Sequence, residues 1–263
     1  MMIIDANSHV HDPVDAHVGL LEEAGVDRAV LFSTRPHPER AGDLASLRRE
    51  MAILEEAIGG RAGSAEGHRR AWREWDAALA ARPERFIGFL SVPLDLEPEG
   101  IAATVEREVV GRGVHGIGEL TPPPGRAAMI EPVLRAAADH GGLPVVVHGS
   151  APTTAADVRT LSALAGRYPR VPLVVSQLGG ANWMEAVELV RDNPNMYLEL
   201  STASVVFAVR LAIKEIPDRT LFGSDAPYGD PVLARAMVER ATSPGEVRDR
   251  VLGGTIAELV GLA

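Results

Sequence analysis

Short apolar or β-branched runs alternate along this chain with longer segments in which apolar residues return every third or fourth position. The runs are Met2–Ala6, Arg28–Ser33, Phe86–Val92, His115–Leu120, Pro144–His148, Pro172–Gln177, Met196–Leu200 and Thr220–Ser224, each the length of a strand. Between them, Asp15–Ala24, Glu97–Val110, Ala127–His140, Thr154–Tyr168, Trp183–Asp192, Ser204–Glu215 and Pro231–Ala241 carry a helical period. Gly25, Gly141 and Gly142 stand where helix C-caps belong. Strand starts fall about 24 to 29 residues apart, the length of one βα unit, with one gap about twice as long. Eight units predict an α/β fold, a closed (β/α)8 TIM barrel, with an open doubly wound sheet as the alternative.

The long gap holds a helical pattern over Glu39–Ile58, a Gly-rich break from Gly59 to Ser64, and a second helical pattern over Glu66–Ala81. This predicts a helical hairpin, about residues 39–82, inserted in the second βα connection. That connection lies on the catalytic rim of a barrel, so the hairpin is either a partial lid or a solvent-exposed decoration. Glu246–Val251 and Thr255–Leu262 read as closing helices. No linker divides the chain, which is expected to form a single domain over residues 1–263.

Composition narrows the chemistry. Hydrophobic residues make up 46% and aromatic ones 4%, so the core is built from Ala, Val, Leu and Ile. A net charge of −10 disfavours nucleic acid and anionic membranes as partners. With no cysteine, disulfides, thiolate metal sites and thiol nucleophiles are excluded, and any metal falls to His and carboxylate. No basic segment followed by a long apolar run marks a signal peptide, and no stretch is long enough to span a bilayer; a cytoplasmic protein is expected.

Barrel active sites are built at the C-terminal ends of the strands. The first segment leads into Ser8-His9-Val10-His11. Extended chain alternates its side chains, so His9 and His11 are expected on one face, able to share a metal ion. The fourth strand ends in Glu119, the fifth in His148, the sixth in Gln177 and the eighth in Asp225. After the second strand, Arg35 either clamps a substrate carboxylate or faces solvent, and His37 joins it on the rim. Trp183 either walls a pocket or starts its helix. His17 and His68 fall in helical patterns and are expected to be solvated.

Five segments together resemble the amidohydrolase superfamily, and within it the amidohydrolase-related and aminocarboxymuconate-semialdehyde-decarboxylase-type enzymes. They are Asp5-Ala6-Asn7-Ser8-His9-Val10-His11, Gly116-Ile117-Gly118-Glu119, Pro144-Val145-Val146-Val147-His148, Leu178-Gly179-Gly180, and Leu221 to Pro227. The closing Val251–Leu259 resembles the same family. The resemblance implies that His9, His11, His148 and Asp225 bind a divalent metal, most often zinc, with one ion favoured over two. It also implies that Asp225 passes the proton. Glu119 would bridge or complete the site, or else accept a hydrogen bond from a ligating histidine.

One position departs from the family. Gln177 stands where a histidine usually precedes Leu-Gly-Gly, and an amide is a poor zinc ligand and carries no proton near pH 7. It could still donate to a substrate oxygen. The leading expectation is a metal-dependent hydrolase of a small organic amide, ester or lactone, with metal-bound hydroxide as nucleophile and Asp225 as general base and acid. The alternative is a metal-dependent, non-oxidative decarboxylase of a small aromatic or unsaturated acid. A third reading is a catalytically lapsed barrel with a binding role. The partner expected is a small-molecule substrate, and a homodimer is left open.

Overall fold

The computed structural model describes residues 2–34, 36–58 and 65–262; Arg35 and the Gly-rich break at 59–64 lie outside the described residues. Among the described residues eight strands follow one another: β1 (Ile4–His9), β2 (Arg28–Phe32), β3 (Phe86–Leu90), β4 (Gly116–Leu120), β5 (Val145–Val147), β6 (Leu173–Val175), β7 (Met196–Glu199) and β8 (Thr220–Leu221). Each pairs in parallel with the next in chain order. The ring closes between its ends: Ser8 and Ala226 form a parallel bridge, and the Ala6 amide donates to the Phe222 carbonyl at 2.9 Å. This is the expected (β/α)8 barrel.

Both faces of the strands are buried, which is why they read as unbroken apolar runs. Ile4, Ala6, Val30, Phe32, Ile87, Phe89, Val146, Val174 and Leu221 fill the barrel interior, joined by Ile256 and Val260 from the closing segment. Gly116 makes room for this layer, since a Cβ there would lie 2.3 Å from the Phe89 ring. The outer faces pack Leu31, Leu90, Ile117, Val145 and Val175 against the surrounding helices. Those helices are α1 (Val14–Glu23), α2 (Leu44–Ile58), α3 (Ala65–Ala81), α4 (Pro98–Thr104), α5 (Glu131–Asp139), α6 (Ala155–Arg167), α7 (Trp183–Asp192), α8 (Val206–Glu215), α9 (Pro231–Ala241), α10 (Glu246–Asp249) and α11 (Thr255–Leu259).

The first strand departs from expectation. It runs Ile4–His9 rather than Met2–Ala6, and its register slips: Asp5 faces Ala29 while Ser8 faces Leu31. Three steps on β1 oppose two on β2, a bulge that reverses the alternation of side chains. Polar Asp5, Asn7 and Ser8 are poor strand formers, but all three are fully buried here and each finds partners.

The hairpin in the second connection is α2 and α3. On α3, Ala71, Trp75 and Ala78 are buried, and the Trp75 indole donates to the Leu31 carbonyl at 2.8 Å. Trp72 likewise donates to the Ser91 carbonyl at 3.1 Å. On α2, residues 44–56 include no buried one. The second helix of the insert packs into the barrel wall, while the first stays largely exposed.

Candidate active site at the C-terminal rim

The rim surrounds a cavity of about 480 Å³, a volume suited to a small molecule. His9, Glu119, His148, Gln177 and Asp225 line its floor, with Thr34, Ser91, Thr121, Ser150 and Tyr228 around them. Pro36, Leu54, Ala71, Val92, Leu94 and Met129 form apolar walls. Leu54 comes from α2 and Ala71 from α3, so both helices of the insert contribute to the cavity's wall. His68 of α3 also lines the cavity and is half-buried rather than solvated.

Four strand ends that are far apart in sequence meet on the floor. His9 Nε2 hydrogen-bonds Asp225 Oδ1 at 3.1 Å and lies 3.7 Å from Glu119 Oε2. His148 Nδ1 faces Glu119 Oε1 at 3.3 Å, and its Nε2 faces the Ala151 carbonyl at 3.1 Å. With an acceptor at each ring nitrogen, His148 is suited to carry both protons. Burial opposes that charge, but the Glu119 carboxylate outweighs it and pushes His148 up to about 9. Glu119 responds in the opposite sense. Burial would raise it, yet His148, His9 and the Ser176 hydroxyl, which donates at 2.5 Å, bring it down to about 2. Burial lowers His9 less than Asp225 and Glu119 raise it.

Gln177 is held on three sides. Its Oε1 accepts from the Gly149 amide at 3.2 Å and the Ser150 amide at 3.0 Å, which fixes which end of the amide is which. Nε2 therefore points to Asp225 Oδ2, at 3.2 Å. Both oxygens of Asp225 are engaged, one by His9 and one by Gln177.

His11 is elsewhere. β1 ends at His9, and two residues on, the His11 ring stacks on His17 of α1, with centroids 4.0 Å apart and planes at 13°. It does not line the cavity. His17 is buried rather than solvated and shares a 2.6 Å hydrogen bond with Ser8 Oγ. Burial lowers His11 to about 4 and His17 well below 6.5, so both rings are neutral at pH 7. The inward residue before His9 is Asn7, whose Nδ2 donates to Glu199 at 3.1 Å.

The remaining sequence candidates also sit apart from the floor. His37 is buried between Glu39 Oε1 (3.0 Å) and Glu74 Oε2 (3.2 Å), pinning the base of the insert. Trp183 packs edge-on against Phe207 at 6.1 Å and does not line the cavity. Sequence reasoning missed Tyr228, whose ring meets His9 edge-on at 5.6 Å. Its position three residues after Asp225 was the available signal. It also missed Glu199, a wholly buried carboxyl that burial pushes up to about 8.

Imidazoles with carboxylates and no thiolate form a donor set suited to a divalent cation. Two of the ring nitrogens, His9 Nδ1 and His11 Nε2, are buried without a hydrogen-bond partner. Among the described residues, no three of these side chains already surround a common point that would hold an ion; His9 is paired with Asp225 and His148 with Glu119. The residues on the floor fit a cation by the chemistry of their donors, and holding one in common would replace those pairings.

The family model described as amidohydrolase matches residues 14–262. A comparison with curated proteins finds no match. Among solved structures, 5-carboxyvanillate decarboxylase from Sphingomonas paucimobilis shares 19% identity at a TM-score of 0.68, covering 100% of this chain and 99% of that one. Dihydroxybenzoic acid decarboxylase from Polaromonas, solved with manganese and 2-nitroresorcinol, shares 19% at 0.70, covering 99% and 97%. 4-Oxalomesaconate hydratase from Rhodopseudomonas palustris shares 17% at 0.64, covering 99% and 96%. At these identities the likeness is one of fold.

Proposed function

The chain belongs to the amidohydrolase family, and from that premise we propose that it is a metal-dependent, non-oxidative decarboxylase of a small aromatic or unsaturated carboxylic acid. Hydrolysis, the leading expectation from sequence, becomes the second reading. The observation that carries this order is Gln177, an amide locked by two backbone donors and by Asp225 where the family resemblance leads one to expect an imidazole. Amide or ester hydrolysis must both activate water and protonate a leaving group. Decarboxylation needs one proton, delivered to the carbon that loses CO2, and Asp225 suffices to carry it. The decarboxylases of like fold support the same order.

The proposed cation site consists of His9, Glu119, His148 and Asp225. A divalent ion there, manganese or zinc, supplies positive charge that holds and polarises the substrate's acidic group. The rest falls to the chain. No lysine or arginine lies among the described residues lining the cavity, so the hydroxyls of Thr34, Ser91, Thr121 and Tyr228 around the floor orient the substrate's oxygens. Leu54, Ala71, Val92 and Met129 hold its apolar body and exclude water. The bond from that body to the carboxyl carbon breaks, CO2 leaves, the electron pair stays on the substrate carbon, and a proton taken up from solvent and relayed by Asp225 replaces the lost group.

The test is to load the full chain with Mn2+ or Zn2+ and offer hydroxybenzoates beside aryl amides, esters and lactones. CO2 release from an acid, absent in Asp225→Asn, is the expected result. Hydrolysis of an amide or lactone with no CO2 from any acid would restore the second reading.

A further inference from the structure

Beneath the floor, Glu199 at the end of β7 is wholly buried and has no place in the chemistry above. Four donors converge on its two oxygens. Oε2 accepts from Asn7 Nδ2 at 3.1 Å, from the Gln177 amide at 3.0 Å and from Ser201 Oγ at 2.8 Å, while Oε1 accepts from the Ser201 amide at 2.5 Å. These donors come from β1 and from the segments following β6 and β7. The segment after β8 yields space to it: a Cβ on Gly223, two residues before Asp225, would lie 2.1 Å from Glu199 Oε1.

The Gln177 contact matters most. Gln177 and Leu178 both have left-handed backbone, at φ 55° and 54°, a conformation costing roughly 1–2 kcal/mol for a residue with a Cβ. Such a turn persists only where its surroundings over-determine it. Glu199 grips the backbone N–H of Gln177, and the turn so held swings the side chain between the Gly149 and Ser150 amides on one side and Asp225 on the other.

We infer that Glu199 is a positioning residue that orients Asp225 through the backbone and side chain of Gln177. The inference rests on the reading of Asp225 as a cation-holding residue, and Mn2+ binding to the full chain is its probe. Glu199→Gln keeps size and shape but sets an amide donor against the four already there, and is expected to weaken Mn2+ binding by about 10- to 100-fold, the usual effect of losing a ligand's support. In a Gln177→Ala background the same change is expected to add less than about twofold, because the route is already cut. Ser201→Ala, which removes one donor and leaves the fold alone, is expected to weaken binding by about two- to fivefold and serves if Glu199→Gln does not fold.

Calorimetric titration with MnCl2 reads all of these, with thermal unfolding alongside. A core residue without positioning work would lower the unfolding temperature and leave Mn2+ affinity at the parent value, which overturns the inference while the proposed function stands. Full additivity with Gln177→Ala also overturns it, since the route would then bypass Gln177. A parent chain that takes up no Mn2+ overturns both this inference and the cation site it rests on.

Discussion

The two sides of the first strand's exit hold similar side chains in opposite conditions. On the cavity side, His9 faces Asp225 and Glu119, His148 faces Glu119, and carboxylates raise both imidazoles. On the packed side, His11 stacks on His17 between β1 and α1, where burial lowers both rings. Spacing along the chain did not decide which histidine faces the cavity. The carboxylates of Glu119 on β4 and Asp225 after β8 stand beside His9, on a strand that ends one residue before Val10.

The largest effect expected on the cavity side is that of Asp225→Asn. The variant keeps the shape of the pairings to His9 and Gln177 but carries no proton, and CO2 release should fall by about 10³-fold with the unfolding temperature nearly unchanged. Retained turnover would remove Asp225 from the chemistry. Next is Glu119→Gln. Without that charge, burial acts on His148 against only the Ala151 carbonyl and Asp225, and its pKa should drop well below about 9, read by NMR titration of the metal-free protein. A raised folded pKa stabilises below 6.5 and loses that contribution as pH rises through 9, so the variant should also lose the parent's decline in stability above neutrality.

The packed side should respond to acid instead. His11 binds its proton near pH 4 in the folded chain and near 6.5 when unfolded, so the unfolded state takes up protons first and stability falls as pH drops from 6.5. The loss approaches about 3 kcal/mol by pH 4. Urea unfolding at pH 7, 5.5 and 4 should show a shallower acid decline in His11→Gln than in the parent, and an equal decline would remove His11 from this role. The smallest effect belongs to His37. Its pKa is raised, first by hydrogen bonding to Glu39 and then by Glu74, so its grip on the insert is present below 6.5 and fades as pH rises through the folded value. After correction for the intrinsic rise of amide exchange with pH, protection in α3 should fall over that range in the parent and stay constant in His37→Ala.

Much of this architecture was legible from spacing, because a βα repeat announces itself through fully buried strands such as Val145–Val147 and Leu173–Val175. The rim positions of Glu119, His148 and Asp225 followed from it. The first strand was harder. Asp5, Asn7 and Ser8 lower its strand signal, and the bulge that turns His9 inward exists only through pairing with β2 and β8. No local pattern reports it. Glu199 was invisible for the same reason: its value lies in donors from Asn7 and Gln177, each remote in sequence. His17 looked like a polar residue on a helix, and its partner Ser8 became apparent only once α1 lay against β1.

The account stands most directly on which of the two histidines holds the cation. Metal content and Mn2+ affinity of His9→Gln and His11→Gln, measured beside the parent chain, decide it. His11→Gln should keep parent affinity to within about threefold, while His9→Gln should lose about 100-fold or more. Loss in His11→Gln equal to that in His9→Gln would contradict the account and return His11 to the site.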